Sequence, residues 1–228
     1  MNNNSPKVSA VVASYRERPR IGNVLATLLA SDILGEVVLV DDGSRDGTEE
    51  YVRKEFPSVR LLVNEHNHGK AYSMDRGVSE STGEILFFCD ADLVGLTPEI
   101  VRDMVLPVIE NKYDMFIGIR NNVMQKSFLP FALNSGERTM RREVWQKLPQ
   151  FYKFRFRIEA GLNFMVYFMG SRGLGYKVMP YFQTLKEQKY GFWRGEWQRQ
   201  KMNFDVVVGW VRAFFEFFFL AKILGRKL

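Results

Sequence analysis

Glu84-Ile-Leu-Phe-Phe-Cys-Asp-Ala-Asp-Leu-Val94 is an apolar run that ends in two carboxylates. A short, continuous apolar run bounded by charge is the pattern of a strand buried on both faces. At its carboxyl end Asp90 and Asp92 stand one residue apart. Where such a strand gives way to a loop, both side chains can converge on one hard divalent cation, which takes oxygen ligands and completes its shell with phosphates. The preceding residues repeat the theme. Val8–Ser14, 36–40 and 59–63 read as strands, and 114–119 as another. Between them Ile21, Val24, Leu25, Leu28 and Leu29 fall at helical spacing in 20–30, and helices are predicted over 49–56, 68–81 and 98–111. Asp46 or Thr48 is placed to cap the second helix, and Pro98 to start the last.

Strands separated by helices of this length predict an α/β fold with a mostly parallel sheet and helices on both faces, because parallel neighbours need a crossover. In such sheets ligands bind beyond the carboxyl ends of the strands. Three polar groups fall at those ends: Tyr15–Glu17, Asp41–Asp42, and Asp90 with Asp92.

The second half is less regular. Helices are predicted over 137–148 and 158–171 and a strand over 177–180. Residues 193–224 form a tail rich in Phe that carries Trp193, Trp197 and Trp210. The longest run free of charged residues, 160–171, is twelve residues, short of the ~20 that a spanning helix needs. Within 203–224 Asp205, Arg212 and Glu216 share one helical face, leaving Val207, Val208, Val211, Phe214, Phe215, Phe218 and Leu224 largely elsewhere. This describes an amphipathic helix lying in a membrane interface, or one packed on the body or on a second copy.

The net charge of +6 is unevenly placed. Residues 137–157 carry seven Lys/Arg against two Asp/Glu, and 186–228 nine against four, so the remainder is net acidic. Basic patches attract nucleic acid, anionic lipid or phosphorylated substrates. Here they interleave with an aromatic tail and no nucleic-acid-binding motif is apparent, which argues against a nucleic-acid partner. The single Cys89 forms no internal disulfide and reads as a buried thiol in a reducing compartment. The opening Met1-Asn-Asn-Asn-Ser-Pro6 lacks the basic and apolar regions of a secretory leader, so a cytoplasmic chain peripherally associated with the membrane is expected.

Taken together, Val11-Val-Ala-Ser-Tyr-Arg-Glu17, Val40-Asp-Asp-Gly-Ser-Arg-Asp-Gly-Thr48, Gly69-Lys-Ala71 and Ser81 to Leu93 resemble the family-2 glycosyltransferases of the GT-A fold. The Asp-Ala-Asp-Leu form looks most like the polyprenyl-phosphate sugar transferases related to dolichyl-phosphate mannose synthase. The similarity covers roughly 7–190. Ser135-Gly-Glu-Arg-Thr-Met-Arg-Arg142, Ile158-Glu-Ala-Gly-Leu-Asn163 and Gly175-Tyr-Lys-Val-Met-Pro180 look like that family's acceptor half.

The resemblance implies roles residue by residue. Ala13, Tyr15 and Glu17 would hold the nucleoside, and Asp41 would accept a hydrogen bond from the base while Asp42 shapes the turn. Gly69, Lys70 and Ala91 would approach the nucleotide, although Lys70 also reads as an ordinary surface lysine. Asp90 and Asp92 would hold Mg²⁺ or Mn²⁺ against the diphosphate. Arg120 and Arg138 match basic positions near the phosphates of donor or acceptor, and Lys153, Arg155 and Arg157 would serve an anionic acceptor. Glu159 would be a base if the acceptor were a hydroxyl, or else a structural partner of an arginine.

The implied protein is an inverting transferase moving a sugar from a UDP- or GDP-sugar to a membrane lipid, polyprenyl phosphate by preference. The alternatives are a lipid or glycan hydroxyl as acceptor, or a module that binds sugar nucleotides without turnover. Residues 1–190 would form the catalytic domain, with 1–120 the nucleotide-sugar half and 121–190 the acceptor half. Residues 191–228 would be the membrane-associating tail, and a homo-oligomer through that tail stays open. Departures from the family pattern are Ala13 where proline is common, Arg16 where asparagine is common, Val94 in place of a further polar metal ligand, and Phe182-Gln-Thr184 in place of a histidine. They imply fewer protein ligands for the metal, and His66 and His68 read as shaping the loop before Gly69.

Overall fold

The computed structural model describes residues 6–121, 132–154, 157–183 and 192–225, with only the backbone considered at 183 and 192–205. The first half alternates β1 (Val8–Ser14), α1 (Ile21–Leu29), β2 (Glu36–Asp41), α2 (Thr48–Glu55), β3 (Arg60–Val63), α3 (Lys70–Glu80), β4 (Ile85–Asp90), the short β5 (Leu93–Val94), α4 (Pro98–Ile109) and β6 (Met115–Arg120). The second half contributes β7 (Arg138–Arg141), α5 (Arg142–Lys147), α6 (Ile158–Met169), β8 (Leu174–Met179), β9 (Phe182–Gln183) and α7 (Phe192–Ile223). A seven-stranded sheet runs in the order β3-β2-β1-β4-β7-β6-β8, and β5 pairs with β9 in a separate two-stranded sheet. Within the large sheet β7 alone is antiparallel to its neighbours.

Side-chain alternation splits the core in two. Val8, Ala10, Val12, Ile85, Phe87 and Cys89 face α1 and α4, whereas Val11, Leu86 and Phe88 face α3, α5 and α6. Strands buried on both faces explain why residues 85–89 are apolar without a break. Burying each phenylalanine contributes about 1.5–3 kcal/mol. Helix starts follow local chemistry. The Thr97 hydroxyl accepts from the Ile100 N–H at 3.3 Å with Pro98 at the first helical position. Of the two candidate caps for α2, Asp46 accepts from the Thr48 N–H at 3.1 Å, next to Gly47 at φ +83°.

The predicted helix over 137–148 is a strand followed by a one-and-a-half-turn helix. Arg138–Arg141 pair on one side with β4 and on the other with β6, and Thr139 and Met140 are fully buried between helical layers. The strand is short and its ends are arginines, so composition alone does not betray it. The predicted strand over 177–180 is longer, Leu174–Met179, and lies parallel to β6 at the sheet edge.

The tail forms the predicted helix, and mostly small residues line the face that meets the body. Gly209, Ala213, Phe217 and Ala221, spaced by four, are buried, and a Cβ at Gly209 would stand 3.3 Å from that of Ala160 on α6. Small residues allow this close approach. Glu216 accepts from the Tyr152 hydroxyl at 2.8 Å, and the Arg212 guanidinium lies 3.7 Å from the centre of the Phe151 ring, so the charged face looks towards the 151–152 turn. Val207, Val211, Phe214, Phe215, Phe219, Leu220 and Ile223 are left exposed. Asp205, Trp193 and Trp197 belong to the stretch described by backbone alone, and Arg226 and Lys227 lie outside the described residues.

Candidate active site at the strand ends

The chain reverses its direction of sheet growth between β1 and β4, which opens a crevice at the carboxyl ends of these neighbours. Register puts Ala13 beside Asp90 and Ser14 beside Asp41, so the polar groups read from sequence share one edge. Asp41 and Asp90 lie two strand spacings apart, about 10 Å. Because β7 runs antiparallel, its amino end meets this edge too and brings Ser135, Gly136 and Glu137 to the site.

The centre of the cluster is Asp90. Its Oδ1 accepts from Lys70 Nζ at 2.7 Å and its Oδ2 from Arg120 Nη2 at 2.8 Å. Arg120 in turn donates through Nε and Nη2 to the Glu137 carboxylate at 3.1 and 2.9 Å. Glu137 also accepts from the Ser135 hydroxyl at 2.6 Å, and the Tyr181 hydroxyl, which donates to the Gly118 carbonyl at 2.9 Å, stands 3.5 Å away. On the other flank Lys70 lies 3.8 Å from Glu159. Gly136 roofs the pair: a Cβ there would stand 2.7 Å from Lys70 Nζ and 3.0 and 3.1 Å from the two Asp90 oxygens.

Electrostatics follow from this packing. Burial by itself would raise the Asp90 carboxyl, but Lys70 and then Arg120 outweigh it and hold Asp90 well below the usual carboxylate range. Burial would likewise lower Lys70 and Arg120, yet Asp90 and Glu159 around the first and Glu137 and Asp90 around the second keep both cations charged far into alkali. Glu137 is raised, chiefly by burial, which the Arg120 guanidinium only partly offsets. Asp41 is raised for the same first reason, against the pull of the Ser44 hydroxyl and N–H. Burial pushes the Cys89 thiol well up, leaving it a packing residue rather than a nucleophile.

The nucleoside candidates line the adjacent ground. Asp41 accepts a hydrogen bond from Ser44, whose oxygen accepts from the Arg16 N–H at 2.8 Å. Asp41, Ser44, Arg45, Thr48 and Asn64 border a cavity of about 430 Å³ at the ends of β2 and β3. Asp42 accepts from the N–H groups of His68 at 3.0 Å and Gly69 at 2.7 Å and from the Asn64 amide at 2.7 Å, so it fixes the loop that delivers Lys70. Gly69 sits at φ +90°, a conformation side chains disfavour. Glu17 pairs with Arg20 at 2.7 Å, and Tyr15 is half-buried beside the Arg16 guanidinium. Ala91 and Asp92 are buried in the β4–β5 link.

Several basic residues expected near phosphates are engaged in ties within the protein. Arg138 is 1% exposed, and its guanidinium donates to the Ser135 and Leu133 carbonyls and the Asn163 side chain, pinning a turn inside the protein. Lys153 pairs with Asp75 at 2.8 Å and Arg157 packs on Phe151 and Phe154, while Arg155 lies outside the described residues. Arg142 donates to the Gly83 and Val78 carbonyls, tying α5 to the α3–β4 turn. The basic patch of 137–157 therefore largely holds the fold together. Sequence reasoning gave neither Glu137 nor Gly136 a role of its own, because Glu137 sat at the start of a predicted helix and Gly136 just before it. The signal available was the Ser-Gly-Glu run, too short to reveal an antiparallel strand end.

Among the described residues no group of three or more His, Cys, Asp or Glu side chains is placed to hold a metal ion. The hard oxygens of Asp90 and Asp92 nevertheless suit Mg²⁺ or Mn²⁺, ions that commonly take one or two carboxylates and leave the remaining positions to phosphates and water. Carboxylates at Asp90, Asp92, Glu137 and Glu159 outnumber the cations Lys70, Arg120 and Arg138, so the site tolerates added positive charge. The donor set fits a cation shared with a diphosphate.

Comparison with known proteins places the chain. It is 29% identical over 133 residues to dodecaprenyl-phosphate galacturonate synthase of Rhizobium johnstonii, covering 55% of this chain and 39% of the relative. It is 31% identical over 130 residues to dolichol-phosphate mannosyltransferase of Mycosarcoma maydis, covering 52% and 44%. The aligned stretches thus span less than half of these curated relatives. In three dimensions it is similar to glucosyl-3-phosphoglycerate synthase of Mycobacterium tuberculosis, solved with Mn²⁺, UDP and glucosyl-3-phosphoglycerate: TM-score 0.75, 18% identity, 91% of this chain and 80% of that one. At that identity the likeness establishes the fold, which is GT-A. The family model described as Glycosyl transferase family 2 matches residues 9–172, and the chain belongs to that family.

Proposed function

We propose that the chain is an inverting glycosyltransferase that moves a sugar from a UDP- or GDP-sugar to polyprenyl phosphate at a membrane surface. The observation that carries the reading is Asp90 gripped between Lys70 and Arg120 at the edge where β1, β2 and β4 end. With Asp41 about 10 Å away, the edge suits a nucleoside at one end and its diphosphate at the other. Lys70 and Arg120 bring two permanent cations to the leaving group, and neither has to be recruited when charge develops there. Asp90 and Asp92 are the residues that would hold Mg²⁺ or Mn²⁺, which when bound supplies Lewis-acid stabilisation to the departing diphosphate. A single in-line displacement needs no enzyme nucleophile and inverts the anomeric centre. A lipid phosphate acceptor is already an anion and needs no strong base.

The large apolar side chains on the outer face of α7, with Tyr167 of α6 at 74% exposure, support docking on a lipid surface that carries the acceptor. Residues 191–228 are in this reading a membrane-associating segment appended to a catalytic body of 1–190. No helix among the described residues is long and apolar enough to cross a membrane. One contact favours a second reading. Glu159 stands 3.8 Å from Lys70, where it would be the base for a hydroxyl acceptor.

The test is transfer of label from UDP- and GDP-sugars to vesicles with and without undecaprenyl phosphate, with the product anomer read by NMR. Label on the polyprenyl phosphate, with inverted configuration and with Glu159→Gln retaining activity, is expected. Transfer to a lipid hydroxyl that Glu159→Gln abolishes would move the reading to the second acceptor, and no transfer from any donor would remove both.

A further inference from the structure

Glu137 is fully buried, yet its carboxylate belongs to no hydrophobic tie between elements. It gathers donors from two places, Arg120 on β6 and Ser135 in the turn before β7, while the Tyr181 hydroxyl, which donates to the Gly118 carbonyl, packs 3.5 Å from it. A carboxylate offers about four acceptor directions, and these donors fill most of them. Burying an ion is expensive unless its partners are well placed. What sets this pair apart from a structural salt bridge is that Arg120 Nη2 is shared, 2.9 Å from Glu137 Oε1 and 2.8 Å from Asp90 Oδ2.

We propose that Glu137 is a positioning residue, holding the Nε–Nη2 edge of Arg120 so that the guanidinium touches Asp90 without forking onto it. An arginine released near a carboxylate turns its two-nitrogen edge to both oxygens, the strongest geometry open to the pair. On Asp90 that fork, made through Nη1 and the Nη2 already in contact, would displace Lys70 from Oδ1, neutralise the oxygens that face a cation and leave the Nε–H without its acceptor. With Glu137 occupying the edge, Lys70 keeps Oδ1 and Arg120 contributes one nitrogen to Oδ2. The consequence for nucleotide binding rests on the donor reading above, whereas the hold on Arg120 stands on the geometry alone.

Two measurements on the whole chain separate these. The first is ¹⁵N NMR of the Arg120 Nε–H. Slow exchange with water is expected in the wild type and an increase of about tenfold or more in Glu137→Gln, as for a buried hydrogen bond that opens. Unchanged exchange overturns the proposal. The second is calorimetric binding of UDP and of GDP with Mn²⁺. Glu137→Gln is expected to weaken whichever nucleotide the wild type binds by about tenfold, and to add less than about twofold in an Arg120→Ala background, because residues acting through one another do not add. Losses that multiply in the double variant would show that Glu137 acts independently of Arg120 and overturn its positioning role. Should Glu137→Gln not fold, Ser135→Ala keeps the charge and loosens it from behind, with faster Arg120 exchange expected. If the wild type binds neither nucleotide, the donor reading fails while the exchange measurement still decides Glu137.

Discussion

At the carboxyl ends of β4 and β6, Glu137, Arg120, Asp90, Lys70 and Glu159 lie in alternating sign and largely out of water. On α7 the arrangement is turned around, with Gly209, Ala213 and Ala221 beside Phe217 facing the body and Phe214, Phe215 and Phe219 facing out. Each region runs against the simple rule of apolar inside and charged outside, and each does so over a continuous patch. Buried charge persists where opposite charges and hydrogen bonds meet it on every side. Exposed aromatic surface of that extent fits a face that another apolar phase covers. The first region would bind a charged ligand and the second a lipid surface, which is how one chain would join a polar donor to an apolar acceptor.

The comparison breaks first at Asp90. Asp90→Asn leaves Lys70 and Arg120 without their shared anion, and removing one partner of a buried pair costs about 3–5 kcal/mol. Urea denaturation should show a loss of that order. A loss below about 1 kcal/mol would mean that the charges are better solvated than their burial indicates.

A pairing at the opposite end of the sheet serves as a control. Glu36 at the start of β2 accepts from the Ser9 hydroxyl at 2.5 Å and from the N–H and hydroxyl of Thr82 at 2.6 and 2.8 Å. Burial would raise it, but Ser9 and Thr82 bring it down to about 2 from 4.5. The folded state therefore binds this proton less tightly than the unfolded chain. Its contribution, about 2 kcal/mol once the linkage value is discounted for solvent screening, is complete above pH 4.5 and disappears as the pH falls towards 2. Glu36→Gln should be less stable than wild type at pH 7, with the gap closing through that window. A gap independent of pH would assign the effect to packing.

The two faces of α7 give the sharper contrast. Ala213→Leu, on the inward face, should cost about 1–3 kcal/mol by overpacking against α6 and leave vesicle binding untouched. Phe215→Asp with Phe219→Asp, on the outward face, should change stability by less than about 0.5 kcal/mol for each exposed site. The same pair should abolish co-sedimentation with anionic vesicles. If the outward pair destabilised the protein and the inward one did not, the helix would sit the other way round.

Much of this was legible in the sequence, and the gaps have physical causes. Strands buried on both faces write themselves as unbroken apolar runs, so the first-half strands and the carboxyl-end placement of Asp41 and Asp90 follow from pattern and topology rules. β7 did not show, because arginines at both its ends satisfy themselves on carbonyls and side chains that only the tertiary fold provides. Charge counting misled for the same reason: Arg138, Arg142 and Lys153 are inward ties rather than a basic surface. On α7 helical periodicity located charged and apolar sides, but which side meets α6 depends on how closely Gly209 and Ala213 let two backbones approach, and hydrophobicity ranks those residues low. Glu137 acquires its importance from Arg120, seventeen residues away, across an antiparallel pairing that periodicity cannot register.

The most direct test of the central claim is calorimetric titration of UDP and GDP into the wild type and Asp92→Asn, with and without Mn²⁺. Mn²⁺-dependent binding of one nucleotide is expected in the wild type and its loss in the variant, with the variant still folded. Binding that ignores both Mn²⁺ and the substitution, or no binding at all, would contradict a diphosphate site at the end of β4.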